Sequence, residues 1–173
     1  MIKRFPSSEN PHREEILKLM ERNNEETTPS IRKMTNMWIV EKELGLEDAV
    51  QKFYEERTDE VLVYNEEGLM KGFFLLEKND EGIKEHVPQH WPHIEISLGI
   101  VREEYRGEGI AEKLLTETEK HVKEKDIENL VWVTSTANRA SKKFAENNSL
   151  EKVEKFNEDR EDEEKTVIFA KKV

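Results

Sequence analysis

The stretch that decides the fold is Val101-Arg-Glu-Glu-Tyr-Arg-Gly-Glu-Gly-Ile-Ala111. An apolar run, His93-Ile-Glu-Ile-Ser-Leu-Gly-Ile-Val101, leads into it, and a run from Ile110 to Lys125 leads out. Alternation in the first run predicts a strand, and the spacing of the second predicts an amphipathic helix. A strand thus feeds a short glycine-containing turn that opens a helix. The first turn of a helix carries N–H groups outside the intrahelical ladder and the positive end of the helix dipole. Gly107 and Gly109 lack the side chains that would hold a ligand away from such groups. The loop suits a phosphate or pyrophosphate. It is also the form of a plain strand-to-helix turn that binds nothing, and both readings stand at this point.

Two common phosphate motifs do not fit. A P-loop ends in Gly-Lys-Ser/Thr, whereas this segment ends Gly109-Ile110-Ala111. A dinucleotide fingerprint needs a glycine where Glu112 stands, and its first turn is shorter. The pattern Arg/Gln-x-x-Gly-x-Gly/Ala does fit, through Arg106, Gly109 and Ala111. With Val101 before it and Tyr105-Arg106-Gly107-Glu108-Gly109 inside it, the segment resembles the cofactor loop of the GNAT superfamily of N-acetyltransferases. The resemblance continues through the apolar run Leu130-Val-Trp-Val-Thr134. It reaches Asn138-Arg-Ala-Ser-Lys-Lys-Phe144, which is similar to the family's Asn-x-x-Ala-x-x-x-Tyr with the alanine one residue early. It covers Ile94 to Phe156, and the N-terminal half matches only in its order of elements.

Composition sets the frame. At 173 residues the chain is long enough for one domain, 1–173, with its own core. Its 39 acidic and 28 basic residues give a net charge of −11, which disfavours nucleic acid as a partner. The same charge favours cationic small molecules by steering, or simply keeps the protein soluble. The absence of cysteine excludes disulfides and thiol nucleophiles. Met1 to Met20 is charged throughout, unlike a secretory signal, and no apolar run approaches a membrane span. A cytoplasmic protein with no membrane partner is the expectation.

Along the chain, Ile2–Phe5 predicts a strand and Asn10-Pro11 a helix start. Thr28-Pro29 repeats that start signal, with Ile31, Met34, Trp38 and Leu44 at helical spacing and Gly45 as the stop. Ala49, Val50, Phe53 and Tyr54 mark a third helix. Val61–Tyr64 and Leu69–Leu76 flank Asn65-Glu-Glu-Gly68 as a hairpin. Lys78 to Pro92 reads as an irregular loop. After the strand ending at Val101 come the helix at 110–125, a strand at 130–134, a helix near 138–147 and strands at 150–156 and 166–172. Asn157 to Lys165, almost wholly charged, reads as a solvated hairpin loop. The order is β-α-α-α-β-β-β-α-β-α-β-β. It predicts an α/β (α+β) fold of GNAT type, with a mixed, mostly antiparallel twisted sheet of about six or seven strands flanked by helices.

The resemblance implies a chemistry: transfer of the acetyl group of acetyl-CoA to a primary amine by direct attack in a ternary complex. The attacking amine must be neutral, the carbonyl oxygen needs hydrogen-bond donors, and no covalent intermediate is required. Glu95, on the strand eleven residues before Arg106, matches the general base of the histone-acetylating branch. Read from the strand period alone, it shares a solvated face with His93, Ser97 and Gly99 and is an ordinary polar residue. Gly99 inside a strand marks a bulge or close backbone approach, or is tolerated for packing. In the family, the groups corresponding to Gly99, Ile100 and Val101 face the pantetheine and the thioester carbonyl. The implied pyrophosphate cradle is Arg106, Gly107, Glu108, Gly109, Ile110 and Ala111. Asn138 matches a cofactor-contacting asparagine, and helix capping explains it equally well. The strands before the loop and after its helix run parallel and part in the family, and the pantetheine enters between them.

One departure bears on mechanism. Ala145 stands where relatives carry the tyrosine that protonates the leaving thiolate, and Ser149-Leu150 replaces their Gly-Phe. Tyr105, Ser141 or a water are the available substitutes. His86, His90 and His93 crowd one loop, but two prolines prevent a helix that would align them, and no metal is expected. A proton relay or plain loop surface is the reading there. The helices between 11 and 57 would wall the acceptor site, with Trp38, Phe53 and Tyr54 serving the core. The acceptor is a small-molecule or peptide amine, and a homodimer is left open. The alternative function is a non-catalytic acyl-CoA-binding module on the same fold; a third is a scaffold for a protein partner.

Overall fold

The computed structural model describes residues 1–24, 44–156 and 166–173. The elements are β1 (Ile2–Pro6), α1 (Arg13–Arg22), α2 (Leu46–Glu56), β2 (Glu60–Glu66), β3 (Leu69–Lys78), α3 (Glu81–His86), β4 (His93–Val101), α4 (Ile110–Glu124), β5 (Asn129–Ser135), α5 (Arg139–Asn147), β6 (Glu151–Phe156) and β7 (Thr166–Lys172). The strands form a seven-stranded sheet in the order β1-β2-β3-β4-β5-β7-β6. Antiparallel pairs join β1 to β2, β2 to β3, β5 to β7 and β6 to β7. β4 and β5 are parallel, with pairs from His93↔Asn129 to Ile96↔Trp132. Beyond those pairs β4 continues to Val101 and β5 to Ser135. The fold class and the mostly antiparallel sheet are those expected.

Several local expectations need correction. The second expected helix, with Thr28-Pro29 and Trp38, lies outside the described residues, as does the charged loop 157–165. Gly45 begins a helix: at φ −64° and ψ 169° it is the N-cap of α2, and its carbonyl accepts the Ala49 N–H at 2.9 Å. α1 starts at Arg13, later than the Asn10-Pro11 signal. The Asn10 side chain instead accepts the His12 N–H at 3.0 Å and donates to the Tyr54 hydroxyl at 3.1 Å, closing a turn ahead of the helix. The β2–β3 turn is tighter than Asn65–Gly68. Glu67 and Gly68 form it alone, both in the left-handed region that a two-residue hairpin requires, and a register shift at Tyr64/Asn65 takes up the slack.

The 78–92 segment is more ordered than its glycine and prolines suggest. It contains α3 and a 3-10 turn at Pro88–His90. Ile83 and Val87, four residues apart, are buried, and the Asp80 side chain accepts the Ile83 N–H at 3.4 Å. Pro88 follows the helix and does not break it.

The chain forms two compact units, one of residues 1–76 with 98–114, the other of 77–97 with 115–173. In the first, Ile16 and Met20 of α1 and Val50, Phe53 and Tyr54 of α2 cover Val63, Phe73 and Leu75 of the sheet. Each such side chain, fully buried, contributes about 1.5–3 kcal/mol. In the second, Ile83 and Val87 pack with Val131, Ile168 and Ala170. α4 buries Ile110, Leu114, Leu115, Thr118 and Val122, as its periodicity predicts, whereas Ala111 is half-buried.

The glycine that packing demands is on β3. A Cβ on Gly72 would lie 3.1 Å from the Ile100 carbonyl oxygen, 3.2 Å from Val101 Cγ2 and 3.3 Å from Ile110 Cγ2. Bare backbone there lets β3 approach the end of β4 and the start of α4. Gly72→Val should therefore destabilise the fold by about 1–3 kcal/mol, the cost of overpacking. Urea unfolding measures it, and native stability in that variant would contradict the tight packing.

Candidate active site

The loop that leaves β4 is pinned by its own side chains. The Arg102 backbone N–H donates to the Lys71 carbonyl at 2.9 Å, and Arg102 Nε to the Met70 carbonyl at 2.6 Å. A 3-10 turn, Glu103–Tyr105, follows. Arg106 then folds back, its Nε donating to the Val101 carbonyl at 3.2 Å and its Nη2 to Asn23 Oδ1 at 3.1 Å. Gly107 and Gly109 take φ of 86° and 72°. A Cβ would meet nothing within 4 Å at Gly107 and only Glu112 Oε2, at 4.0 Å, at Gly109. Their glycine character answers to backbone conformation and leaves open space above the loop. The first bond of α4 runs from the Lys113 N–H to the Gly109 carbonyl at 3.1 Å, so the N–H groups of Ile110 and Ala111 precede the ladder. Bare backbone, open space and a helix start together make an anion cradle.

The loop itself is acidic: Glu103, Glu104, Glu108 and Glu112 outnumber Arg102 and Arg106. A further cation comes from β3. Lys71 Nζ lies over the Tyr105 ring at 4.4 Å from its centre, is hydrogen-bonded to Glu66, and stands 4.0 Å from Glu108 Oε2. The Glu66 hydrogen bond raises the Lys71 pKa, and the same bond lowers that of Glu66.

Glu95 does not lie on a solvated strand face. His93, Ile94, Glu95 and Ile96 are all buried, Glu95 to 2% exposure, so both faces of β4 are covered there. The reading of Glu95 as ordinary strand surface fails. The Asn79 N–H donates to the His93 carbonyl at 3.1 Å, and two steps from that bond on each strand an antiparallel register sets Glu77 opposite Glu95. Glu77, Asp80 and Glu95 each present a carboxylate oxygen within 4.8 Å of the other two. This donor set could hold a cation, whether a metal ion or the ammonium group of an amine. The three-histidine loop is not the place where such ligands converge. His86 is exposed, His90 Nδ1 sits 3.4 Å from Asn129 Oδ1, and His93 is fully buried. Sequence reasoning missed Glu77 and Asp80 because only strand register brings them to Glu95. Lys71 and Gly72 were missed for the same reason.

Asn138 is the N-cap of α5, its Oδ1 accepting the Ser141 N–H at 3.0 Å, so the capping role is present. The Ser141 hydroxyl accepts from Trp132 Nε1 at 2.8 Å, which leaves its proton to donate. Ala145 is fully buried. A tyrosine there would overpack the helix, so the departure from the family pattern is built into the core.

The sequence profile of the Acetyltransferase (GNAT) family matches residues 19–148, and the chain belongs to that family. Solved structures share its fold. An N-acetyltransferase from Staphylococcus aureus aligns with a TM-score of 0.66 at 18% identity, over 99% of this chain and 97% of that one. A ribosomal-protein-alanine N-acetyltransferase from Brucella melitensis aligns at 0.64 and 18%, over 100% and 99%. The yncA protein of Salmonella typhimurium, solved with its cofactor acetyl-CoA, aligns at 0.65 and 14%, over 99% and 92%. No curated protein matches the chain in sequence. Among the described residues, no helix is long and apolar enough to cross a membrane.

Burial lowers the His93 pKa below its ordinary value of 6.5; the Asp80 charge opposes the shift, the His90 charge reinforces it, and a hydrogen bond to the His90 backbone opposes it. The unfolded chain thus takes up a proton at His93 more readily than the folded one, and stability falls as pH drops through 6.5. His93→Gln should flatten that part of the stability–pH curve. A curve unchanged from pH 7 to pH 5.5 would show that His93 does not contribute to it.

Proposed function

We propose that this protein is an N-acetyltransferase, a single domain over residues 1–173, that moves the acetyl group of acetyl-CoA to a primary amine by direct attack. The observation that carries the reading is the cradle at the head of α4, in a chain of the GNAT family. In this reading the pyrophosphate lies over the N–H groups of 106–111, and Gly99, Ile100 and Val101 offer backbone groups to the pantetheine and thioester. Glu95 takes the proton of the attacking amine. Its two carboxylate neighbours, Glu77 and Asp80, concentrate negative charge beside it, which favours an acceptor that arrives as a cation. Positioning of the two substrates supplies much of the rate. A thiol of ordinary pKa, about 8.5, leaves as thiolate near neutral pH with little help. Tyr105, Ser141 or a water can supply the proton where one is needed. Thiol release measured across a panel of amines tests the assignment.

A second reading, a binding module without turnover, rests on Ala145 alone. It requires acetyl-CoA binding with no thiol release from any amine or peptide.

Two variants separate the parts. Gly109→Trp places a bulky side chain over the cradle at a left-handed position, and calorimetry should show CoA binding lost. Native affinity in that variant would remove the loop from the site. Glu95→Gln should lower turnover by about 10²-fold or more with CoA affinity retained, and should flatten the acidic limb of the pH–rate profile. Native turnover at every pH would assign Glu95 to structure alone.

A further inference from the structure

The cradle sits in acidic surroundings: Glu103, Glu104, Glu108 and Glu112 outnumber Arg102 and Arg106. Arg106 is folded onto the Val101 carbonyl and Asn23, where it shapes the loop. Arg102 is tied to Met70 and Glu15. Glu108 lies at the centre of the loop. With carboxylates in excess there, a phosphate brought to this loop gains from a further cation outside it.

Lys71 has the required placement. It belongs to β3, yet its Nζ lies over Tyr105, the residue next to Arg106. Its side chain is only 14% exposed, so its stem is held against the protein and its head is directed. An ammonium has three N–H donors. Among the described residues, one goes to Glu66 and the Tyr105 ring takes the charge on a second side. Toward the loop the neighbour is Glu108 Oε2 at 4.0 Å, an ion pair too long to be a hydrogen bond. Among the described residues, no acceptor other than Glu66 lies within hydrogen-bond distance of the ammonium. A phosphate oxygen carries charge and hydrogen-bonds at shorter range, so it can displace the loose Glu108 contact.

We propose that Lys71 is a cofactor-binding residue that gives up Glu108 for a phosphate of the CoA moiety and adds positive charge from β3 to a loop whose carboxylates outnumber its arginines. The proposal rests on the acetyl-CoA reading above. The pyrophosphate and the ribose 3′-phosphate share this chemistry, and dephospho-CoA, which lacks the latter, distinguishes them.

Calorimetry with CoA on the full chain is the test. Lys71→Met should weaken CoA binding by roughly tenfold or more, and Lys71→Arg should keep it within about threefold. Glu108→Gln should bind at least as tightly as the native protein, and adding Lys71→Met to Glu108→Gln should still weaken binding. A Lys71→Met effect that disappears with dephospho-CoA assigns the 3′-phosphate, and one that persists assigns the pyrophosphate. Native affinity in Lys71→Met overturns the proposal. So does a double variant that binds like Glu108→Gln, because Lys71 would then only screen Glu108. If Lys71→Met does not fold, amine labelling of the native protein decides. CoA should protect Lys71, and unchanged labelling overturns the proposal. A native protein that binds no CoA would instead defeat the acetyl-CoA reading itself.

Discussion

The site depends on how β3 lies against β4. Two backbone bonds fix that pairing: Asn79 N–H to the His93 carbonyl, and Arg102 N–H to the Lys71 carbonyl. Between them β3 spans eight steps and β4 nine, so β4 carries one residue more than its partner, as a β-bulge does. A regular ladder would keep one register throughout. The extra residue lets the upstream register face Glu77 with Glu95 while the downstream register sets Gly72 opposite Val101, whose Cγ2 would lie 3.2 Å from a Gly72 Cβ. Slipping either strand by one residue would turn its side chains to the opposite face. The carboxylates would then separate and Lys71 would point away from Tyr105.

Much of the fold was legible because it rests on local signals. The loop announced itself through Arg106, Gly107 and Gly109, and the left-handed φ at both glycines gives the physical reason those residues are there. α4 was readable from the spacing of Ile110, Leu114, Thr118 and Val122. The hairpin was readable in place but not in turn length, because the bulge that shortens the turn has no signature in composition. α3 was hidden by Gly82 and Pro88, whose usual meaning outweighed the single pair of apolar residues at Ile83 and Val87. Glu95 was legible as a site residue only through the family offset from Arg106. Its strand period alone put it on a wet face, and the strand is in fact covered on both sides. Glu77, Asp80 and Lys71 were not legible, because each enters the site by pairing across strands.

Burial changes what these polar groups can do. Glu95, at 2% exposure, has the carboxylates of Glu77 and Asp80 within 4.8 Å, an arrangement that disfavours the charged form of the group. His93, on the same strand, is fully buried. Its neutral form is the one that burial favours. Ala145 has the opposite character. A small apolar residue fills that place in the core.

Net charge is a poor guide to the ligand of such a protein. A chain at −11 would repel a phosphate cofactor at long range, and screening at physiological salt confines that repulsion to roughly 8 Å. Inside that distance, individual donors decide. Backbone N–H groups at the head of α4 carry partial positive charge that no surface glutamate cancels by composition alone. Arg106 keeps its full positive charge, because the Val101 carbonyl and the Asn23 amide oxygen that its guanidinium bonds are neutral acceptors. In the proposed acetyl-transfer reading, the acidic surface works for the other substrate: the carboxylates gathered at Glu95 and the negative field around them favour a cationic amine as acceptor. In that reading one chain binds an anion through short-range backbone geometry and attracts a cation through the sum of its charges.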